Sequence, residues 1–263
     1  ASTLGSTFIL LNSTSRRFPH GLGNDSGELG HNLMDHHFMI GAEGQFGGLA
    51  DRYYSGRRPN EVYIPRFQNL ARDRRAYLRG FGFQGAASRD DWTRTIAELS
   101  VGAPLKRALG EPGKWAFGMT AFGETLPNHD NRVTLDRTKH DRWGLPLLSI
   151  RCEHGENERL MREDMKTTAA EMLEAAGIER VSTWDDPSPP GLCIHEMGTA
   201  RMGKDPKTSV LNAHNQLHSV RNVFVTDGAS MTSSACVNPS LTYMALTARA
   251  AAYAVSELDK GQL

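Results

Sequence analysis

A short apolar strand, a polar loop and a long helix follow one another near the C-terminus of this chain. The strand covers Val223–Val225 and leads into Asp227-Gly228, and the helix follows Asn238-Pro239. A short β-branched run is typical of a parallel strand buried on both faces. Asparagine is a favoured N-cap and proline a favoured first helical residue. The order predicts a β–loop–α unit of an α/β sheet, where ligands bind at the carboxyl edge of the strands.

Apolar periodicity predicts three helices. The first lies near the N-terminus and has Leu4, Phe8 and Leu11 on its buried face. The second spans 156–176, and Gly177 directly after it is a typical residue to end a helix. The third is the C-terminal helix, for which a long buried face is expected from Leu241, Met244, Ala245, Ala248, Ala252, Val255 and Leu258.

The middle of the chain predicts short strands and loops. Strands are expected at 38–40, 61–64 and 145–150, and 72–110 is expected to form loops and short helices. The turn residues Asp130-Asn131 predict a hairpin between 124–126 and 132–135.

Composition excludes several classes of partner. The chain has 263 residues with 30 Lys+Arg and 30 Asp+Glu, a formal charge of +0 that gives no case for nucleic acid or an anionic membrane. No apolar run reaches the roughly 18–20 residues that a membrane span needs. Cys152, Cys193 and Cys236 form no CxxC motif, so neither a zinc site nor a disulfide scaffold is indicated, and buried or half-buried thiols are expected.

The segment His195–Gly203 places a histidine beside a glycine-rich turn. A zinc-hydrolase HExxH motif needs a second histidine where Thr199 stands, so that reading is excluded. The chain also lacks a GxGxxG nucleotide loop in a strand–helix context and a GxSxG nucleophile elbow. Gly198 and Gly203 are expected to leave room for a flat ligand, and the helix end near Asn238 favours an anion.

Taken together, these segments resemble the C-terminal signature of the glucose–methanol–choline (GMC) flavin oxidoreductases, in particular bacterial sugar dehydrogenases and pyranose oxidases. The resemblance is carried by His195–Gly203, Thr208–Asn215, Asn222–Gly228, Met231–Ala235 and Asn238–Ala248, with Thr3–Ser13 and Leu22–His36 near the N-terminus. It is weak between roughly 40 and 130. The fold it implies is α/β with an α+β substrate part, namely part of a GMC-type FAD-binding Rossmann-like domain and an antiparallel-sheet substrate domain.

The resemblance implies a role for each matching residue. His195 corresponds to the catalytic histidine and Asn238 to a second active-site residue that is a histidine in other members. The cofactor expected is FAD, bound by Ala1, Ser2, Asp227, Gly228, Ala229, Asn238, Pro239 and Thr242. The activity implied is oxidation of an alcohol group on a sugar or glycoside, by proton abstraction at His195 and hydride transfer to flavin N5.

The resemblance also implies a domain division and partners. Residues 1–38 are expected to belong to the FAD-binding domain, 39–195 to the substrate-binding domain, and 196–263 to a return into the FAD-binding domain. No segment matches the family's dinucleotide fingerprint, so an N-terminal FAD-binding part is expected in the same or a separate chain. Other expected partners are a small sugar or alcohol substrate and an electron acceptor. The compartment, cytoplasm or periplasm, stays open.

Two alternatives remain beside the oxidoreductase. One is a non-catalytic sugar-binding or assembly fragment, motivated by the missing glycine-rich fingerprint. The other is a flavin lyase of the same fold, which cleaves its substrate and consumes no electron acceptor.

Overall fold

A computed structural model describes residues 2–52, 61–89, 101–110, 113–186 and 189–263. In chain order the elements are α1 (Thr3–Asn12), β1 (Ile40–Phe46), β2 (Glu61–Ile64), β3 (Phe81–Arg89), α2 (Ala103–Gly110), β4 (Trp115–Gly123), β5 (Arg132–His140), β6 (Pro146–Arg151), α3 (Glu156–Ala175), β7 (Glu179–Asp185), β8 (Gln216–Leu217), β9 (Val220–Phe224) and α4 (Ser240–Asp259). The chain divides into unit 1 (1–37, 124–158 and 189–263) and unit 2 (38–123 and 159–188).

Unit 2 is built on a five-stranded sheet in the order β2-β3-β4-β1-β7. Every pairing in it is antiparallel. Buried side chains from β1, β3 and β4 form its core with those of α3, and Phe81, Phe83 and Ile40 are fully buried. The predicted antiparallel sheet is therefore present in the middle of the chain.

The apolar stripe of α3 supplies the helical side of this core. Met161, Met165 and Ala169 are fully buried, and Leu173 is nearly so. Gly177 follows the helix with a φ of +78°, the left-handed conformation that commonly ends a helix. The helix predicted over 156–176 is confirmed, and its methionines pack in the core.

Unit 1 combines α1 and α4 with two small antiparallel pairs, β5-β6 and β8-β9. Its apolar core joins Leu10 and Leu11 of α1 to Val210, Leu211 and Ala229. A backbone hydrogen bond links segment 1–37 to β5: Val133 N donates to Gly30 O at 2.8 Å. Segment 124–158 therefore belongs with 1–37, whereas the sequence suggested one stretch over 39–195.

Several local predictions hold and others are wrong. The helix at the N-terminus and the strands at 61–64 and near 145–150 are present. The strand β3 was missed within 72–110. Residues 124–126 form no strand, and β5 pairs instead with β6. The strand at Val223–Val225 was expected to be parallel, yet β9 pairs antiparallel with the two-residue β8.

The C-terminal helix differs most from expectation in its burial. The helix begins at Ser240 with Pro239 as N-cap, one residue later than predicted. The apolar stripe expected to be buried is exposed, with Leu241 at 77%, Met244 at 68% and Val255 at 58% of full exposure. Among the described residues no helix is long and apolar enough to cross a bilayer.

Candidate active site

The carboxylate of Asp35 organises the loop that carries His195. Its Oδ1 accepts a hydrogen bond from the His195 backbone N–H at 2.9 Å. Its Oδ2 accepts from the N–H groups of Gly191 at 3.0 Å and Cys193 at 3.1 Å. Hydrogen bonds to an ionised acceptor are stronger than neutral ones. One buried carboxylate therefore fixes the position of residues 191–195.

The backbone between Cys193 and His195 adopts an unusual conformation. Ile194 has a φ of +57°, a left-handed conformation that is strained for a β-branched residue. The flanking N–H groups both point at the Asp35 carboxylate. Two N–H groups of one short segment thus converge on one anion, an arrangement of the kind found in concave anion-binding nests. Strain held at one position in this way is a feature of functional sites.

His195 makes a direct hydrogen bond to a second histidine. The Nδ1 atoms of His36 and His195 lie 3.0 Å apart, and the two rings meet edge to face. On the far side of His36, its Nε2 lies 2.9 Å from the carbonyl oxygen of Ser234. His36 is buried, while His195 is half-exposed. The two imidazoles therefore form a chain from a buried carbonyl to a more exposed ring.

The chemistry of these partners fixes the tautomer of both rings. A carbonyl oxygen only accepts, so His36 Nε2 carries a hydrogen and donates it to Ser234. Burial, and then the neighbouring His195, lower the pKa of His36, so its ring is neutral and Nδ1 holds a lone pair. His195 Nδ1 must then donate to that lone pair. Neutral His195 consequently has its own lone pair on Nε2.

Ser234 is itself held by a polar network in unit 1. Its hydroxyl accepts a hydrogen bond from Thr125 N at 3.1 Å, and the Thr125 hydroxyl donates to the Asp35 carbonyl oxygen. Ser233, the preceding residue, donates to the buried carboxylate of Glu124. The segment before α4 is thus tied to the segment that carries Asp35 and His36.

Cys193 completes the surroundings of His195. Its Sγ lies 3.4 Å from His195 Nδ1. Burial, with the nearby carboxylates of Asp35 and Glu196, raises the pKa of the thiol to about 12. All three cysteines are free, with Cys193 and Cys236 buried and Cys152 half-buried. This agrees with the expectation of buried or half-buried thiols.

The glycines of the His195–Gly203 segment serve packing between protein segments. A Cβ on Gly198, which has a φ of +98°, would lie 2.2 Å from the Asn32 carbonyl oxygen. A Cβ on Gly203 would meet the Ser209 side chain at 2.6 Å. The expectation that these glycines leave room for a flat ligand is wrong, because neighbouring protein atoms already fill that space.

The segment Asp227–Ala229 lies against the start of α1 and the residues after His195. Asp227 Oδ1 accepts from Ala229 N at 2.9 Å, and its Oδ2 accepts from the Ser6 hydroxyl. Gly228 O accepts from Gly198 N at 3.0 Å. A Cβ on Gly228 would meet Glu196 O at 2.3 Å, so only glycine fits there. The Asp227 carboxylate thus shapes a turn, and both of its oxygens have protein partners.

The other predicted site residues lie at helix ends. Asn238 and Thr242 are exposed around the N-terminus of α4, and Pro239 is buried. Ser2 is exposed at the N-cap of α1, and Ala1 lies outside the described residues. The first-turn N–H groups of a helix have no intrahelical partner and carry a positive partial charge. An amide, a hydroxyl and the first-turn N–H groups at this end of α4 have the polarity that suits the polar edge of a flavin ring.

Residues 127–247 match the family model described as GMC oxidoreductase. The matched region contains His195, the Asp227–Ala229 turn and Asn238. The chain belongs to the GMC oxidoreductase family. The resemblance noted from the sequence is confirmed, and the GMC chain described here combines helices with antiparallel sheets.

Curated relatives align over almost the whole GMC chain. It is 33% identical to 2-methyl-1,2-propanediol dehydrogenase of Mycolicibacterium austroafricanum, over 96% of this chain and 46% of that protein. It is 26% identical to the fructose dehydrogenase large subunit of Gluconobacter japonicus, over 96% and 46%. It is 28% identical to paromamine 6'-oxidase of Streptomyces fradiae, over 98% and 44%. The chain thus spans about half the length of these relatives.

Sequence reasoning missed the residues that hold His195 in place. Asp35, His36 and Cys193 were not singled out as site residues. Asp35 and His36 precede His195 by 160 and 159 positions, so no local spacing joins them. The one local signal was the Cys-x-His pair of Cys193 and His195.

Proposed function

We propose that this chain is part of an FAD-dependent oxidoreductase that oxidises an alcohol group of a small polyol, sugar or glycoside. The hydrogen-bond chain from Ser234 through His36 to His195 carries the proposal. In the arrangement observed, this chain of hydrogen bonds leaves a lone pair on His195 Nε2, so the ring can accept a proton there without rotating or changing tautomer. A neutral imidazole with an available lone pair is suited to take a proton at neutral pH.

His195 acts as the base in this proposal. An alcohol carbon releases hydride readily only after the hydroxyl proton has left, and His195 Nε2 accepts that proton. The positive charge that then develops on the ring is stabilised by the lone pair of His36 at Nδ1 and by the nearby Asp35 carboxylate, whose hydrogen bonds fix the His195 backbone. His36 and Asp35 are therefore positioning residues.

Asn238 and the N-terminus of α4 complete the proposed site. The Asn238 amide donates a hydrogen bond to the substrate oxygen and orients the alcohol carbon. The exposed Thr242 hydroxyl, Pro239 and the first-turn N–H groups of α4 would hold the polar edge of the cofactor ring. When bound, the flavin supplies the acceptor for the hydride.

The FAD-binding contacts beyond this ring are proposed to come from a further part, in the same or a separate chain. The exposed apolar stripe of α4 supports this, because Leu241, Met244, Val255 and Leu258 are each more than half exposed. Contiguous exposed apolar surface marks an interaction site. The turn at Asp227–Ala229 and Ser2 at the start of α1 are the proposed contacts to the rest of the cofactor.

The substrate class is proposed from the relatives. Three of them are named for a branched diol, fructose and paromamine. Their shared feature is a hydroxyl on a small polar molecule. The reaction also requires an electron acceptor. Measuring whether the reduced protein reacts with oxygen or only with another acceptor identifies it.

The test is anaerobic reduction of the purified flavin-containing protein. Addition of a sugar or diol bleaches the flavin absorbance, and His195→Asn slows this by about 10²–10⁴-fold. The control is His20→Asn, which changes an exposed histidine and keeps the parental rate. Bleaching of the His195 variant at the parental rate removes His195 from the mechanism.

The same preparation separates the alternatives. Absence of a flavin absorbance band in the purified protein, when all parts of the enzyme are present, supports the non-catalytic sugar-binding or assembly role. Substrate cleavage without consumption of an electron acceptor supports the lyase.

A further inference from the structure

His36, Cys193 and His195 bring three metal-ligating atoms together. The two Nδ1 atoms are 3.0 Å apart, and Cys193 Sγ is 3.4 Å from His195 Nδ1. All three atoms lie within 4.8 Å of one another. Tetrahedral zinc, with bonds of about 2.0–2.1 Å to nitrogen and 2.3 Å to sulfur, separates its ligand atoms by about 3.3–3.6 Å. The His36–His195 and Cys193–His195 separations lie within a few tenths of an ångström of these values.

The surroundings of His36 are those of a metal ligand. Its Nε2–H donates to the Ser234 carbonyl, which leaves Nδ1 with a lone pair directed at the cluster. Metal-ligating histidines in proteins almost always donate their other N–H to a carbonyl or carboxylate in this manner. His36 is held in that orientation by contacts that do not involve the cluster itself.

Charge also favours a cation at this place. The Asp35 carboxylate lies beside the loop, but its oxygens accept hydrogen bonds from the N–H groups of Gly191, Cys193 and His195. Asp35 is therefore a fixed negative charge and not a ligand. A divalent cation, one thiolate and one carboxylate sum to zero charge, which lowers the cost of burying each of them.

We propose that His36 Nδ1, Cys193 Sγ and His195 Nδ1 form a site for a borderline-soft divalent cation such as Zn²⁺. Thiolate and imidazole are the ligands that this class of ion prefers. Because His195 is half-exposed, a water molecule takes the fourth position. The sequence indicated no zinc motif, since His36 lies far from Cys193 along the chain.

Binding has a defined proton balance. The Cys193 thiol loses its proton to solvent and the thiolate bonds to the metal. His195 keeps one ring proton, but it moves from Nδ1 to Nε2 so that the Nδ1 lone pair bonds to the metal. The net result is one proton released per ion.

The site also provides a means of regulation. With its proton on Nε2, His195 has no lone pair for a substrate hydroxyl. Zn²⁺ therefore inhibits alcohol oxidation, reversibly on chelation. This consequence rests on the proposed function, whereas the binding of the ion does not.

The decisive experiment measures metal binding without substrate. Chelator-treated protein is titrated with Zn²⁺ against a chromophoric chelator, and with Co²⁺ while the thiolate-to-cobalt charge-transfer band is followed. We expect one ion per chain and one proton released per ion in weakly buffered solution. Cys193→Ser weakens binding at least tenfold and abolishes the charge-transfer band. Cys152→Ser, which changes a half-buried thiol elsewhere in unit 1, leaves both unchanged.

A second variant guards against a folding defect in the first. His36→Gln removes one ligand while Cys193 remains, so we expect at least tenfold weaker Zn²⁺ binding with the same circular dichroism spectrum. Binding that is undiminished in both variants, or a bound Co²⁺ without a thiolate band, overturns the site. Tight binding without inhibition of the flavin-loaded enzyme keeps the site and instead contradicts His195 as the base.

Discussion

Units 1 and 2 differ in the groups that surround their apolar cores. Unit 2 buries a continuous set of phenylalanine, isoleucine and methionine side chains between its sheet and α3. Unit 1 has an apolar core around Leu211, but it also buries a network of hydroxyl, carboxylate and imidazole groups that includes Asp35, His36 and Thr125. An apolar interior gains stability in proportion to buried area, whereas a polar one is stable only when its groups are paired. The candidate active site lies wholly within unit 1.

This difference indicates which part of the chain carries the proposed chemistry. Buried polar groups restrict each other to one arrangement, and that arrangement sets the tautomer of His195. The apolar core of unit 2 tolerates changes of shape that conserve volume. We therefore expect substitutions in unit 2 to act on stability, and substitutions in the network of unit 1 to act on stability and chemistry together.

The largest expected effect tests the apolar interior. Phe83→Ala removes a fully buried ring from the sheet–helix core and should lower the free energy of unfolding by about 3–5 kcal/mol. Val62→Ala on β2, where Val62 is 50% exposed, should change it by less than about 0.5 kcal/mol. Urea denaturation of the two variants gives both values. Similar costs for the two would show that the core is not tightly packed.

The next effect tests the polar interior. Asp35→Asn keeps the shape of the side chain but turns one acceptor oxygen into a donor that faces backbone N–H groups. Since each charged hydrogen bond contributes about 1.5–3 kcal/mol, we expect a loss of about 3 kcal/mol. The matched control, Asp130→Asn, changes an exposed aspartate and should be neutral. Denaturation curves measure the stability.

The chemical consequence of that substitution separates the two interiors. Asp35→Asn should also reduce the rate of flavin bleaching under conditions where the variant is fully folded, because the His195 loop loses its anchor. Phe83→Ala at the same folded fraction should keep that rate. Equal losses of rate would contradict the assignment of chemistry to unit 1 alone.

The same contrast explains which parts of the fold the sequence revealed. The methionine and leucine residues of α3 recur at helical spacing, so the helix was predicted to within a residue or two of its observed bounds. The strand β3 was missed because Gly82, Gly85 and a run of small residues disguise it. Its place in the sheet follows from pairing with β2 and β4, which is tertiary information.

The candidate site was only partly predictable for a physical reason. His195 and Asn238 were predicted as site residues because family motifs surround them in the sequence. The Asp35 and His36 contacts depend on how distant loops are brought together, and no periodicity encodes that. The residues on the apolar face of α4 were predicted correctly, but the prediction that this face is buried was wrong. Periodicity shows which residues share a face and not what covers that face.

A matched pair of glycines tests how tightly the loops of unit 1 are packed. Both Gly198 in unit 1 and Gly177 in unit 2 have φ values in the left-handed region. Gly177→Ala meets nothing within 4 Å and should cost about 1 kcal/mol from torsional strain alone. Gly198→Ala also places a Cβ 2.2 Å from a backbone oxygen and should cost about 2–3 kcal/mol. Equal costs in denaturation would mean that the loop around Gly198 moves aside freely.

The smallest expected effect is on how the free energy of unfolding depends on alkaline pH, to which each unit contributes a different ionisable group. Burial, and then its hydrogen bond to Asp164, raise the pKa of Tyr77 in unit 2. In unit 1, burial and nearby carboxylates raise the pKa of Cys152 to about 11. Both groups keep their proton longer in the folded state than in the unfolded state. Their contribution to stability is therefore complete at neutral pH and is lost as the pH rises above the unfolded pKa, about 8.5 for cysteine and 10 for tyrosine.

Substitution should remove these two slopes in different pH windows. Cys152→Ser should make the fall in unfolding free energy between pH 8.5 and about 11 shallower, because serine does not ionise there, while the raised pKa of Cys193 accounts for the rest of that fall. Tyr77→Phe should leave the fall between pH 8.5 and 10 unchanged and make the fall that begins near pH 10 shallower, while the raised pKa of Tyr243 in unit 1 accounts for the rest of it. Urea denaturation at half-unit pH steps from 7.5 to about 11 resolves the two windows. If Tyr77→Phe flattened the curve from pH 8.5 onward, the tyrosine would not be the group that titrates in unit 2, and the contrast in alkaline response would have to come from other residues.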